Sequence, residues 1–183
     1  ICSLRRLHMP EHVLKVIENM YHHTPFRVRD SDHVSQTEIQ ATGIRQGCPL
    51  SPYLFILFMS VLMHDVEEAY RLEMGNAVHT HSAADPLFDL EYADDTVLMS
   101  RSANSITKLL HCLQKEAAPY GMALNRAKTK LLVVNGPPAG VVTFTDNTPV
   151  HVVGNNESLE YLGTVLNRNG SPRITLTTRL ARA

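Results

Sequence analysis

Residues 87–99 constrain this chain more than any other stretch. Leu87-Phe88-Asp89-Leu90-Glu91-Tyr92 alternates and reads as a strand, and Thr96 to Met99 is β-branched and apolar like a return strand. Between them Ala93-Asp94-Asp95 leaves room only for a tight turn, so a β-hairpin is predicted with two adjacent carboxylates at its tip. Like charges held together at a turn are costly unless something positive neutralises them. A hard divalent cation such as Mg²⁺ does so through oxygen ligands. Asp is also common in turns for its local hydrogen bonding, and the pair alone leaves both explanations open.

The remaining elements mix helices with hairpins. Residues 11–23 carry Val13, Leu14, Val16, Ile17 and Met20 on one helical face, with Pro10 near the start and Pro25 ending the helix. Phe26 to Arg29 and Thr37 to Ala41 are expected as two strands linked by the polar stretch Asp30 to Gln36. Ser51 and Pro52 are suited to open a helix reaching about Arg71, apolar at first through Leu54, Phe55, Leu57, Phe58, Val61 and Leu62. A loop over Gly75 to Pro86 follows. Asn104 or Ser102 caps a helix bearing Ile106, Leu109, Leu110 and Leu113, which ends near Pro119 and Gly121. Leu131 to Val134 is expected as a strand, Val141–Phe144 and Val150–Val153 as a hairpin around Asp146-Asn147, and Leu159 to Leu166 as one short strand. With no repeated βαβ unit, the pattern predicts an α+β domain with a largely antiparallel sheet and helices on one face.

Composition narrows the classes of partner. The apolar run Tyr53 to Met63 is broken by Ser60 and followed by His64, Asp65, Glu67 and Glu68, too short for a bilayer, so no membrane role is expected. No leader pattern follows Arg5 and Arg6, and a start at Ile1 is expected of a piece of a longer reading frame. Cys2, Cys48 and Cys112 form neither a disulfide framework nor a CxxC pair, which favours a reducing, intracellular setting. The closest histidine cluster, His79 and His81 with Asp85, suits a solvated loop or a metal site short of ligands. The net charge of −1 is unevenly spread. Residues 1–100 hold 7 Lys and Arg against 14 Asp and Glu, a balance of −7; residues 101–183 hold 10 against 4, a balance of +6. A basic half suits phosphates and an acidic half concentrates cations.

The carboxylate pair does not stand alone. Thr42-Gly43-Ile44-Arg45-Gln46-Gly47-Cys48-Pro49-Leu50-Ser51-Pro52 lies roughly 40 residues upstream, Asn125-Arg126-Ala127-Lys128-Thr129-Lys130 about 30 downstream, and Glu160-Tyr161-Leu162-Gly163 follows. Four short motifs in this order resemble those of reverse transcriptases, especially of non-LTR (LINE-like) retrotransposons, over residues 1 to 170. The resemblance implies a polymerase palm-like antiparallel sheet with helices packed on one face, partial fingers and the start of a thumb. Residues 1–135 would be fingers and palm, and 136–183 the end of the palm and a thumb-like segment. Asp94 and Asp95 would be catalytic metal ligands in a two-Mg²⁺ site. Lys128, or Lys130 if the match slips by two, would neutralise the triphosphate or protonate the leaving pyrophosphate. Arg45, Gln46 and Gly47 would line the incoming nucleotide and template, and Tyr92, Tyr161, Leu162 and Gly163 the primer side. Taken singly, Gly47 also fits a helix-entry turn, Lys128 a solvated surface lysine and Tyr161 a buried strand.

By the same resemblance the partners are an RNA template, a DNA primer and deoxynucleoside triphosphates, and the location is intracellular, nuclear and cytoplasmic. Such enzymes place a first catalytic aspartate on a strand before the helix at 11–23. Residues 1–20 contain no Asp, so that residue is expected before Ile1, and the chain as given is expected to bind Mg²⁺ weakly and polymerise little or not at all. A non-catalytic remnant of a retroelement, acting as a binding or interaction module, is the second reading. An RNA-dependent RNA polymerase would share the Asp pair but fits the motifs around Gln46 and Asn125 less well.

Overall fold

Amphipathic helices organise each half of the chain. A computed structural model describes residues 1–40, 43–45, 47–75, 89–136 and 140–169. The loop expected at Gly75 to Pro86 falls, after Gly75, outside the described residues, as do Gln46, His79, His81 and Asp85. The chain divides into two compact units, residues 1–64 and 65–183.

In the first unit, α1 (Cys2–Arg6) and α2 (Glu11–Tyr21) precede a hairpin and the start of α3 (Ser51–Met74). Helical spacing puts Leu14 and Ile17 inward, where with Leu4 they form a buried cluster, lined by Met9, Val13, Tyr21, Leu50, Leu54 and Leu57. Each such side chain contributes about 1.5–3 kcal/mol on burial. Val16 and Met20 face outward, so the apolar stripe read from sequence is wider than the face that packs. Pro10 is the N-cap, and the helix stops at Tyr21, before Pro25. His23 then takes a positive φ of 46°, which turns the chain into β1 (Thr24–Phe26).

β1 pairs antiparallel with β4 (Glu38–Gln40) in the register Thr24↔Gln40, Pro25↔Ile39 and Phe26↔Glu38. The stretch between them, expected as an unpaired link, pairs as well. β2 (Arg29–Asp30) meets β3 (His33–Val34), turning at Ser31 with φ 53°. Cross-strand side chains account for this: Arg27 Nε donates to Thr37 Oγ1 at 2.7 Å and the Val28 amide to Ser35 Oγ at 2.9 Å.

In the second unit, β5 (Asp89–Tyr92) and β6 (Asp95–Leu98) form the predicted hairpin and lead into α4 (Ala103–Ala117). Ser102, not Asn104, is the N-cap, and its hydroxyl accepts from the Ser105 amide at 3.1 Å. α4 ends in a 3₁₀ turn, Ala118–Tyr120, closed by Gly121. Leu110 packs with Val142, Phe144 and Val150, and Leu98, Ala103, Ile106, Leu124 and Leu131 border that cluster.

Around Asp146 the expected hairpin forms, with Phe144 N donating to Thr148 O at 2.9 Å and Val150 N to Val142 O at 2.8 Å. Its second arm then continues into a parallel pair: β7 (Lys130–Leu131) lies beside β8 (His151–Val152). The expected single strand at 159–166 is instead a hairpin, β9 (Leu159–Tyr161) and β10 (Thr164–Leu166). Leu162 and Gly163 turn it with φ 48° and 72°, the backbone that a two-residue hairpin loop demands. The α+β character stands. Among the described residues the strands pair two by two, four pairs antiparallel and one parallel.

The Asp146 turn is held by charge. Asp146 accepts from the hydroxyl and amide of Thr148 at 2.7 and 3.1 Å and pairs with Arg126, whose guanidinium lies 5.1 Å from the Phe144 ring centre. The Thr148 hydroxyl first, and then Arg126, hold its carboxyl well below the usual carboxylate range. A lowered value contributes stability above the usual carboxylate pKa, lost as pH falls below it. The fall in melting temperature between pH 5 and pH 2.5 is therefore expected to be smaller in Asp146→Asn than in the wild type; an equal fall contradicts this reading of the turn.

Candidate active site

The hairpin register places the carboxylates. Tyr92 pairs with Asp95, Glu91 with Thr96, Leu90 with Val97 and Asp89 with Leu98. Asp89, Glu91, Thr96 and Leu98 therefore share one face, and Leu90, Tyr92, Asp95 and Val97 the other. Leu98 reaches the core of the second unit, whereas Leu90 and Tyr92 are exposed. Asp94 occupies the two-residue loop, and Asp95 opens β6. Both are exposed. Ala93 carries a φ of 54°, a conformation that costs a non-glycine residue about 1–2 kcal/mol. The two-residue loop set by pairing Tyr92 with Asp95 calls for this positive φ.

Two more carboxylates stand on the core-facing side. Loss of hydration, followed by the hydrogen bond and charge of Asp89, pushes the Glu91 carboxyl up to about 7. The period-two spacing of Asp89 and Glu91, which puts both carboxyls on one face of the strand, is the sequence signal of this arrangement. Among the described residues no group of three or more His, Cys, Asp or Glu is arranged to hold a metal ion. Asp94 and Asp95 nevertheless supply the hard, exposed oxygen donors that suit Mg²⁺, which commonly takes one or two protein carboxylates beside water and phosphate oxygens.

The other predicted residues fall in distinct settings. Tyr161 comes to the turn: its hydroxyl donates to the Asp95 carbonyl at 3.5 Å. Leu162 and Gly163 form the turn just beyond it, and Gly163 is needed for its positive φ, since a Cβ there would meet open space. Tyr92 is exposed beside Asp95. Lys128 sits, exposed, in a turn anchored by Asn125, whose side chain and carbonyl accept from the Lys128 amide at 3.2 and 3.0 Å. No hydrogen bond or ion pair joins Lys128 to Asp94 or Asp95 among the described residues. Lys130 lies instead in β7, opposite His151.

In the first unit, Gly47 takes φ 81° before α3. Arg45 is drawn inward, with Nη2 donating to Thr24 Oγ1 at 2.7 Å, the guanidinium 5.7 Å from the Tyr21 ring centre, and Nε buried without a partner. Tyr21 is a residue the sequence did not flag. Its hydroxyl lies 2.7 Å from Ser51 Oγ and donates to Cys48 Sγ at 3.7 Å. That last bond, chiefly, lowers the Cys48 thiol to about 7. Ser51 is the first residue of α3, and its hydroxyl serves this pairing.

Against this geometry, the sequence profile of the reverse transcriptase (RNA-dependent DNA polymerase) family matches residues 1–166. The chain belongs to the reverse transcriptase family. Among curated proteins it is 27% identical over 150 residues to the "Retrovirus-related Pol polyprotein from type-2 retrotransposable element R2DM" of Drosophila melanogaster, covering 82% of this chain and 13% of that protein. It is 25% identical over 176 residues to the "Retrovirus-related Pol polyprotein from type-1 retrotransposable element R2" of Nasonia vitripennis, covering 92% of this chain and 16% of that protein. This reverse transcriptase chain therefore spans about a seventh of these relatives' length. Both are retrotransposable-element proteins, in agreement with the non-LTR kind that the motif order resembles.

Glu91 yields a test of the hairpin's electrostatics. A raised carboxyl stabilises the fold while protonated, and that contribution is lost as pH rises from about 4.5 through about 7. Because Glu91 remains exposed, the effect is small. The drop in melting temperature from pH 5.5 to pH 8 is expected to shrink in Glu91→Gln. An unchanged drop would show that the Glu91 carboxyl is not raised in the fold.

Proposed function

We propose that this chain carries part of the catalytic palm of an RNA-directed DNA polymerase, and that the Asp94–Asp95 turn is its metal-binding centre. The observation that carries the reading is an exposed carboxylate pair at a strained two-residue turn, in a chain of the reverse transcriptase family. Asp94 and Asp95 would hold Mg²⁺. When bound, such ions stabilise the attacking and leaving oxygens of an in-line displacement. The chain's own groups bind and orient. The two carboxylates fix where the primer 3′-hydroxyl and the α-phosphate of a deoxynucleotide meet. Lys128, exposed and outside any ion pair among the described residues, is available to a triphosphate or to the departing pyrophosphate, to which it would give a proton.

Arg45, Gln46 and Gly47 are assigned to the incoming nucleotide and template. The inward pose of Arg45, with one guanidinium nitrogen unpartnered, suits a side chain that acts by shaping the loop ahead of α3. Tyr92, Tyr161, Leu162 and Gly163 are assigned to the primer side, next to Asp95. The remaining metal ligands are assigned to a carboxylate upstream of residue 1, to substrate phosphates and to water. The partners proposed are an RNA template and a DNA primer, in an intracellular setting.

Primer extension on an RNA template with Mg²⁺ tests the reading. The chain is compared with a form extended upstream through the expected aspartate strand, with and without Asp94→Asn. The extended form is expected to make DNA, and Asp94→Asn to lower its rate at least about a hundredfold. A well-folded but inactive extended form would overturn the polymerase assignment in favour of a non-catalytic binding module.

A further inference from the structure

The Asp94–Asp95 turn is short and exposed, and its two-residue loop holds Ala93 at a φ of 54°, which a non-glycine residue adopts at a cost. The second unit supplies an external support. Tyr161 lies 66 residues further along the chain, yet its hydroxyl reaches the carbonyl of Asp95. Asp95 is the residue that closes the turn by pairing with Tyr92. A carbonyl oxygen has two lone pairs, so it accepts this bond in addition to one from the ladder.

Tyr161 is itself fixed. It is the last residue of β9, pairing with Thr164 across the Leu162-Gly163 turn. Below it Val165 is buried, and the chain just beyond the hairpin is tied to the stretch that follows β7 by the Asn135 amide, which donates to the Arg168 carbonyl at 2.9 Å. The hairpin is therefore anchored at its base, and Tyr161 projects from an anchored strand onto the carboxylate turn. The hydroxyl makes no other hydrogen bond among the described residues.

We infer that Tyr161 is a positioning residue for the carboxylate pair: its hydroxyl pins the Asp95 carbonyl, so the β9–β10 hairpin sets the conformation of the Asp94–Asp95 turn. This deepens the proposed function, since its value to catalysis rests on Asp94 and Asp95 being metal ligands; the support of the turn does not. The role differs from direct contact with a primer: Tyr161 acts through Asp95.

Hydrogen exchange of the 183-residue chain separates the two ideas. Tyr161→Phe keeps the ring and removes the hydroxyl. Amides in a peptide spanning residues 93–97 are expected to exchange roughly threefold faster than in the wild type, the loss of one net hydrogen bond, while those of α4 stay unchanged. Equal exchange at residues 93–97 in wild type and Tyr161→Phe overturns the inference, as does an equal speeding of α4, which would reveal general loosening. If the exchange result holds while Asp94→Asn leaves extended-chain polymerisation intact, the support of the turn stands and the metal assignment is what fails.

Discussion

The register of one hairpin places the carboxylates proposed to carry the chemistry of this chain. Pairing Tyr92 with Asp95 leaves two residues for the loop and sends alternate side chains to opposite faces. Shifting it by one residue would turn Leu98 out of the core and move Asp95 to the other face. Among the described residues of the hairpin, Leu98 packs on the cluster around Leu110 and Phe144 and so helps hold the carboxylates in register. The cost of that register is visible at Ala93, and the Tyr161 hydroxyl reaches the same turn from β9.

The same division of labour recurs in the first unit. The core of Leu4, Leu14 and Ile17 fixes α2 against the start of α3, and Tyr21 at the end of α2 then organises the polar groups ahead of α3. Arg45 leans on its ring, Cys48 and Ser51 on its hydroxyl. In each unit an aromatic hydroxyl rooted in a packed element disciplines a loop that carries family motif residues.

Much of this was legible from sequence because local chemistry agreed with the final structure. The Asp-Asp break and the β-branched return located the hairpin, although the apolar Leu90 and Tyr92 of β5 are exposed and Asp89 and Glu91 share the face of Leu98, and helical spacing of Ile106, Leu109, Leu110 and Leu113 located α4. What escaped depends on contacts distant in sequence or on backbone that side-chain identity hides. Leu162-Gly163 reads as the middle of a strand, since Leu seldom takes positive φ, yet it is a turn. The parallel pairing of β7 with β8 joins segments 21 residues apart and has no local signature. Arg45 bends towards Thr24 and Tyr21, which no motif spacing announces. The candidate site divides likewise: the Asp pair was evident from its neighbours in sequence, and its coupling to Tyr161 was not.

Manganese binding by the chain, followed through the electron paramagnetic resonance of free Mn²⁺, tests most directly whether the hairpin tip is a metal centre. The account predicts weak binding in the wild type, made at least about tenfold weaker by Asp94→Asn and by Asp95→Asn, and left unchanged by Asp146→Asn, a carboxylate already held by Arg126 and Thr148. Titrations of the two hairpin variants that overlay the wild type would contradict it.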